Sequence, residues 1–277
     1  MTTTPMIAFI GAGNMAGALI RGLVDTSTCE ADRILAADPD AARLAALRST
    51  LGVRTTSDNA EALQRADIVI LATKPQVFQE LLPQIAEKLR PESLVISIAA
   101  GVSNSILEAA LPRGTRVVRT MPNTPALVGA GATAISGGRE ASEEDLAIAE
   151  RLFQSVGLTV RVPEAQMDAV TGLSGSGPAY VFAMIEALRD AGAREGLEQE
   201  VALKLATQTV FGAAKLLREQ QESPEVLRER VTSPGGTTRA GLDALDAAGF
   251  AEIMAGAVRA ATRRSVELRR MVGTTAN

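Results

Sequence analysis

Short apolar runs recur through the first part of the chain, each followed by a segment of helical character. Ile7–Ile10, Arg33–Ala37, Ala66–Thr73, Leu94–Ile98 and Val117–Thr120 read as strands, with a further short one near Val53–Thr55. The run from Ala66 to Thr73 is the clearest, since its nearly continuous apolar residues imply burial on both faces, as in a parallel sheet. Between the runs, Met15–Leu23, Ala41–Leu47, Asn59–Gln64 and Val77–Leu89 carry helical patterns. A strand at Ala132–Ser136, a helix over Leu146–Phe153 and a strand at Thr159–Val162 follow, with Ser142 and Asp145 spaced as a capping box. Strands alternating with helices predict an α/β, Rossmann-type doubly wound sheet.

From Glu164 onward the strand signals stop. Val181, Met184, Ile185 and Leu188 keep helical spacing, as do Phe250, Ile253, Met254, Ala257 and Ala261. Val201–Leu217 is apolar nearly all round, interrupted mainly by Lys204 and Lys215, which predicts a helix buried between two chains. The change of pattern divides the chain into a Rossmann-like domain, residues 1–163, and an all-helical domain, residues 164–277, of the kind that, behind a Rossmann domain, supplies the substrate pocket and the dimer interface. Gly273–Asn277 is expected to be a loose tail.

Chemistry enters at the first break between strand and helix. Gly11-Ala-Gly13 follows the opening strand, and Ala16 stands at the third small position. Gly11 permits a tight turn, Gly13 lets a phosphate approach bare backbone, and Ala16 lets the helix pack close to the strand. The helix start offers free N–H groups and a positive dipole end to a pyrophosphate. Ligands of such sheets bind at the C-terminal ends of the strands. Gly11–Met15, Asp38, Ala72–Pro75, Ile98–Gly101 and Met121–Thr124 all fall there. Asp38 lies 22 residues after Ala16, near the offset of about 20 at which an acid meets the adenosine ribose. The same residue, followed by Pro39, also suits a helix cap, and one carboxylate can do both. Arg43, a turn further on, can answer a 2′-phosphate, so the choice between NADH and NADPH stays open. Lys74 borders this rim, and Asn123 and Thr124 sit in a rigid turn between two prolines.

Two glycine-rich breaks interrupt the helical half. Gly172–Tyr180 allows a close approach by a helix or cofactor. Ser233-Pro-Gly-Gly-Thr-Thr238 opens a helix over Arg239–Ala247, and its consecutive N–H groups and two hydroxyls suit a small carboxylate.

Composition narrows the chemistry further. The 277 residues contain no histidine and a single cysteine, Cys29. Imidazole acid–base catalysis, histidine triads and a structural zinc site are therefore out of reach, and no metal is expected. The lone cysteine fits a reducing, cytoplasmic setting, and Met1–Pro5 does not read as a signal peptide. A net charge of −4 argues against a nucleic-acid partner, and no apolar run is long enough to span a membrane.

Together these stretches resemble the pyrroline-5-carboxylate reductase family. The resemblance rests on Phe9–Met15, Ala72–Pro75, Ser97–Gly101, Arg119–Pro125, Gly172–Tyr180 and Ser233–Thr238, which occur in family order over nearly the full chain. Thr73 stands where many members have valine. Asp38 stands where members favouring NADPH often have a small hydroxyl residue.

The resemblance implies reduction of L-1-pyrroline-5-carboxylate to L-proline by hydride transfer to a C=N bond, the last step of proline synthesis. It implies NADPH or NADH held by Ile10, Gly11, Ala12, Gly13, Asn14, Met15, Asp38, Asn59 and Ala72–Pro75 (Ala72, Thr73, Lys74, Pro75), with Ile98, Ala99 and Ala100 at the nicotinamide end. It assigns the substrate carboxylate to Gly235, Gly236, Thr237 and Thr238, with Glu164 nearby, and the catalytic positions to Thr238 and Ser233. The Thr238 hydroxyl would meet the ring nitrogen. A homo-oligomer is implied, a dimer at least and a decamer in many members, so that a pocket can hold residues of two chains.

Two other functions compete. A β-hydroxyacid dehydrogenase needs a lysine after the second glycine motif, and none occurs between Lys88 and Lys204. A non-catalytic dinucleotide sensor would have no use for the Ser233–Thr238 loop.

Overall fold

The computed structural model describes residues 5–274. The chain forms two compact units, one holding residues up to Ser176 together with those from Ala260 onward, the other Gly177–Arg259.

The first unit alternates strand and helix: β1 (Ile7–Ile10), α1 (Asn14–Asp25), β2 (Ile34–Ala37), α2 (Ala41–Leu51), β3 (Arg54–Thr56), α3 (Asn59–Arg65), β4 (Ile68–Leu71) and α4 (Phe78–Lys88). It continues through β5 (Leu94–Ser97), α5 (Asn104–Ala110), β6 (Arg116–Met121), β7 (Gly131–Gly137), α6 (Glu143–Gln154), β8 (Gly157–Arg161) and the short α7 (Met167–Val170). The eight strands form one sheet in the order β3-β2-β1-β4-β5-β6-β7-β8. All neighbours are parallel except β6 and β7, which pair Thr120 with Ile135 in antiparallel register. Only a short link with a 3₁₀ turn, Thr124–Val128, joins those two strands. It is too short for the crossover that parallel pairing requires.

Period-two alternation in β1 sends side chains to both faces. Ile7 and Phe9 join Leu19, Ile20 and Leu23 of α1 and Ala149, Leu152 and Phe153 of α6. Ala8 and Ile10 join Leu63 of α3, Phe78 and Ile85 of α4, and Leu107 of α5. Each fully buried Leu, Ile or Phe contributes about 1.5–3 kcal/mol, so both layers of helices are held by apolar contact. This is the doubly wound sheet the pattern predicts. The capping box at α6 also forms, with Ser142 accepting from the Asp145 N–H and Asp145 from the Ser142 N–H. The pattern gave no helix between β5 and β6. There α5 forms, capped by Ser103, whose hydroxyl accepts from the Ile106 N–H.

The second unit is helical: α8 (Gly177–Arg194), α9 (Gln199–Gln220), α10 (Pro224–Arg230), α11 (Thr237–Ala247) and the start of α12 (Phe250–Thr274). A Cβ on Gly192 of α8 would lie 3.2 Å from the Ala202 Cβ of α9, so a small residue lets these helices approach closely. Within one chain, only Ala202 and Ala206 of α9 are buried. Val201, Leu203, Leu205 and Phe211 stay exposed. The second half of α12 belongs to the first unit, where Asp168 of α7 accepts from the Ser265 hydroxyl at 2.8 Å and meets Arg269 at 3.1 Å. These contacts do not follow the change of sequence pattern at residue 163. Gly273 and Thr274, expected in a loose tail, continue the helix; the rest of that tail, and Met1–Thr4, lie outside the described residues.

Candidate active site

At the C-terminal ends of β1, β2 and β4, Gly11, Gly13, Asn14, Asp38, Pro39, Arg43, Asn59, Ala72, Thr73 and Lys74 line a cleft of about 750 Å³. Its floor is the glycine turn. Gly11 has φ +103°, and a Cβ there would fall 2.8 Å from the Ala72 carbonyl oxygen, so only glycine fits without strain. A Cβ on Gly13 would meet nothing within 4 Å, so this side of the turn is open. Gly13 caps α1 with no side-chain hydrogen bond. The first-turn N–H groups therefore point, with the positive end of the helix dipole, at whatever enters. A bare backbone cradle and an uncapped helix start fit the pyrophosphate of a dinucleotide.

Asp38 is 6% exposed, and its place differs from one of its two expected roles. The cap of α2 is Asp40, whose side chain accepts from the Ala42 and Arg43 N–H groups. Asp38 instead accepts from the Ala12 N–H at 2.7 Å and from the Asp40 N–H at 2.9 Å, tying the glycine turn to the end of β2. Arg43 reaches it at 3.8 Å while remaining 56% exposed. A carboxylate and a guanidinium thus stand side by side in the cleft.

The other predicted cofactor residues are placed unevenly. Ile10, Ala12 and Ala99 are buried, so their side chains face away from the cleft, whereas Asn14 is exposed and lines it. Asn14 and Met15 open α1, and Pro75 begins a 3₁₀ turn after Lys74. Ile98, Ala99 and Ala100 follow β5, beside β4 in the sheet, on the same rim but outside the lining of this cleft. Val77, Glu80, Leu81 and Gln84 also line it. No motif along the chain marks them, although an apolar Val77 that is 44% exposed just after Lys74-Pro75 marks that position in the structure.

Glu164 is engaged from within. It accepts from the Asn104 N–H, and Arg119 Nη1 lies 3.4 Å from its Oε1. Arg119, in the middle of the sheet, is 1% exposed. Burial pulls its guanidinium below the ordinary arginine value, while the Glu164 and Asp168 carboxylates act in the opposite sense. No residue pattern along the chain foretells this pairing. Asn123 is likewise structural: it donates to the Ser174 carbonyl at 3.0 Å and accepts from the Ala132 N–H at 2.8 Å. The glycine-rich stretch at 171–175 forms a π-helical turn.

In the second unit, Ser233–Thr238 makes a turn into α11. The Ser233 carbonyl accepts from the Gly236 N–H at 3.0 Å, and Gly235 has φ +70°. Gly236 caps α11 without a side-chain hydrogen bond. Thr237 and Thr238 open the helix, exposed like Ser233. The free N–H groups and hydroxyls form a place for a small anion. Arg239 next to them is not a free cation, since it pairs with Asp243 and Asp246.

Residues 164–268 match the family model described as pyrroline-5-carboxylate reductase dimerisation. Residues 6–101 match one described as NADP oxidoreductase coenzyme F420-dependent. A pyrroline-5-carboxylate reductase of Methanosarcina acetivorans is 47% identical, over 95% of this chain and 97% of its own. The solved structure of a pyrroline-5-carboxylate reductase from Coxiella burnetii superposes with a TM-score of 0.91 at 38% identity, covering 96% of this chain and 99% of that one. A Plasmodium falciparum pyrroline carboxylate reductase, solved with NADP bound, gives 0.85 at 30% identity, with 97% and 99% covered.

Proposed function

The chain belongs to the pyrroline-5-carboxylate reductase family, and on that premise we propose that it reduces L-1-pyrroline-5-carboxylate to L-proline with NADPH or NADH. When bound, the dinucleotide supplies the hydride. The protein's share is positioning and electrostatics. Backbone at Gly11–Met15 cradles the pyrophosphate. Asp38 and Arg43 face the adenosine ribose, with Asn59 beside them. Ala72–Pro75 border the cleft, and Ile98–Ala100 line the nicotinamide end. Gly235–Thr238 hold the substrate carboxylate at the uncapped start of α11, and the Thr238 hydroxyl orients the ring nitrogen. Ser233 shapes this turn through its carbonyl. Glu164, fixed by Arg119, belongs to the substrate's surroundings. The imine is electrophilic once protonated, so the lack of histidine is no obstacle.

The observation that carries the substrate assignment is the α11 cap: Gly236 leaves the first-turn N–H groups without a side-chain acceptor. Residues 1–163 serve the dinucleotide, and 164–277 serve the substrate and the contact between copies. The apolar residues that α9 leaves exposed, and the match to a dimerisation family, support a homodimer; assembly to a decamer belongs to the same reading. No helix among the described residues is long and apolar enough to cross a membrane, and we place the enzyme in the cytoplasm, where the lone Cys29 stays reduced.

Thr238→Ala tests the substrate half. It removes a hydroxyl that meets only the substrate, so kcat should fall about 10- to 100-fold, the size of one or two transition-state hydrogen bonds. The dinucleotide Kd should stay within about twofold. Unchanged turnover overturns the role of Thr238.

A further inference from the structure

The turn that follows β5 is clasped from two sides. A long backbone bond closes it, from the Val102 N–H to the Ala99 carbonyl at 3.4 Å, so its place depends on what packs against it. On one side Glu164 accepts from the Asn104 N–H. On the other lies the backbone of α12. A Cβ on Gly101, where φ is +77°, would stand 3.5 Å from the Arg269 backbone nitrogen and 3.7 Å from the Leu268 carbonyl carbon.

One carboxylate fixes that helix. Asp168 Oδ1 accepts from the Ser265 hydroxyl at 2.8 Å, and Oδ2 meets Arg269 Nη2 at 3.1 Å. Asp168 and Ser265 are both buried. Ser265 and Arg269 stand four residues apart, on one face of α12, so the carboxylate sets both its rotation and its position along the axis. Apolar packing does not do this. Among the described residues, none from Ala260 onward joins either apolar cluster of the sheet, and Leu268 and Met271 stay exposed. Glu164 and Asp168 lie on the same short segment, which therefore holds both sides of the β5 turn.

We propose that Asp168, Ser265 and Arg269 are positioning residues for hydride transfer. They seat α12 on Gly101, and the seated helix holds Ile98–Ala100 at the place where the nicotinamide has to lie. None of the three lines the dinucleotide cleft, so they act through the turn. Hydride transfer needs donor and acceptor carbons at near-attack distance, and a misplacement of about 1 Å costs on the order of 100-fold. The inference rests on the reductase reading above and deepens it.

Asp168→Ala in the full-length protein releases both contacts. With enzyme in excess over NADPH and L-1-pyrroline-5-carboxylate saturating, the first-order rate of the single turnover should fall about 10- to 100-fold. That rate does not depend on how much enzyme is folded, so lost stability alone leaves it unchanged. The NADP+ Kd by isothermal titration calorimetry should stay within about twofold, because the pyrophosphate and adenosine ends lie elsewhere in the cleft. Without ligand, amide exchange at residues 99–103 should quicken while residues 12–17 keep wild-type protection. Asp168→Asn keeps an acceptor for Ser265, and Ser265→Ala keeps the pair with Arg269. Each should slow the single turnover about fivefold, the size of one net hydrogen bond, and they carry the test if the alanine variant does not fold.

A wild-type single-turnover rate in Asp168→Ala, or in both milder variants, overturns the inference alone. So does an NADP+ Kd that rises as far as the rate falls, or unchanged exchange at residues 99–103. A wild type that binds NADPH and transfers no hydride removes the reductase reading and this inference with it.

Discussion

Asp38→Asn separates the two tasks that fall on one carboxylate. Asp38 accepts N–H groups from Ala12 at 2.7 Å and Asp40 at 2.9 Å, in a nearly closed site. Asparagine matches its shape but presents one acceptor and one NH2 group. One of the two backbone donors must then face another donor. Losing a charge-assisted bond of this kind costs about 1.5–3 kcal/mol, which lowers Tm by roughly 3–10 °C in a chain of this size.

Selectivity follows from charge. A carboxylate and a 2′-phosphate a few ångströms apart near a surface repel by on the order of 1–3 kcal/mol. Arg43, 3.8 Å from Asp38 and largely exposed, offsets part of that. Neutralising Asp38 should therefore shift the ratio of kcat/KM for NADPH over NADH upward by about tenfold. Arg43→Ala should shift it down. The assay is initial-rate kinetics with each cofactor, paired with thermal melts of ligand-free protein. A lower Tm with an unchanged ratio would reduce Asp38 to a clamp on the glycine turn and refute its part in cofactor choice. An unchanged Tm would refute the clamp.

Other consequences follow from buried groups. Burial, reinforced by Glu30 and Asp32, pushes the Cys29 thiol up to about 11. The unfolded thiol ionises first as pH rises, so this site's share of stability is complete below the unfolded value near 9 and is lost as pH climbs through the folded value. Cys29→Ala should flatten the loss of Tm between about pH 9 and 11, and native Cys29 should resist Ellman's reagent until the chain unfolds; a thiol titrated in the native protein would contradict its burial. Arg119→Met leaves Glu164 with the Asn104 N–H as its remaining hydrogen-bond donor. Because Glu164 keeps about a third of its side chain exposed, the loss should be about 1–3 kcal/mol by urea unfolding, less than for a fully buried pair. A stability equal to wild type would show that the ion pair contributes nothing.

Much of the first unit could be read along the chain because its strands are buried on both faces. Ile7–Ile10 and Ile68–Leu71 are apolar at every position, and runs this short, rich in β-branched residues, suit a strand covered on both faces. The glycine turn was legible for the same kind of reason, since Gly11 has a conformation and a close contact that exclude a side chain. Asp38 was harder. Sequence spacing cannot say whether a carboxylate turns toward a helix N-terminus or back toward a glycine turn, and Asp40 two residues later took the cap. The short α5 carries too few residues to show a period, and its start rests on one serine. Contacts between distant segments, such as Asp168 with Ser265 or Arg119 with Glu164, leave no local trace. The apolar circumference of α9 was plain, but a single chain gives no partner for its exposed side.

The most direct test is a coupled measurement on the purified full-length protein: dinucleotide oxidation followed by absorbance, and L-proline quantified in the same reaction with L-1-pyrroline-5-carboxylate. Oxidation of NADPH or NADH should match L-proline formation one for one and should fall together with it in Thr238→Ala. Binding of the dinucleotide with no L-proline formed would contradict a reductase and leave a protein that only senses the nucleotide.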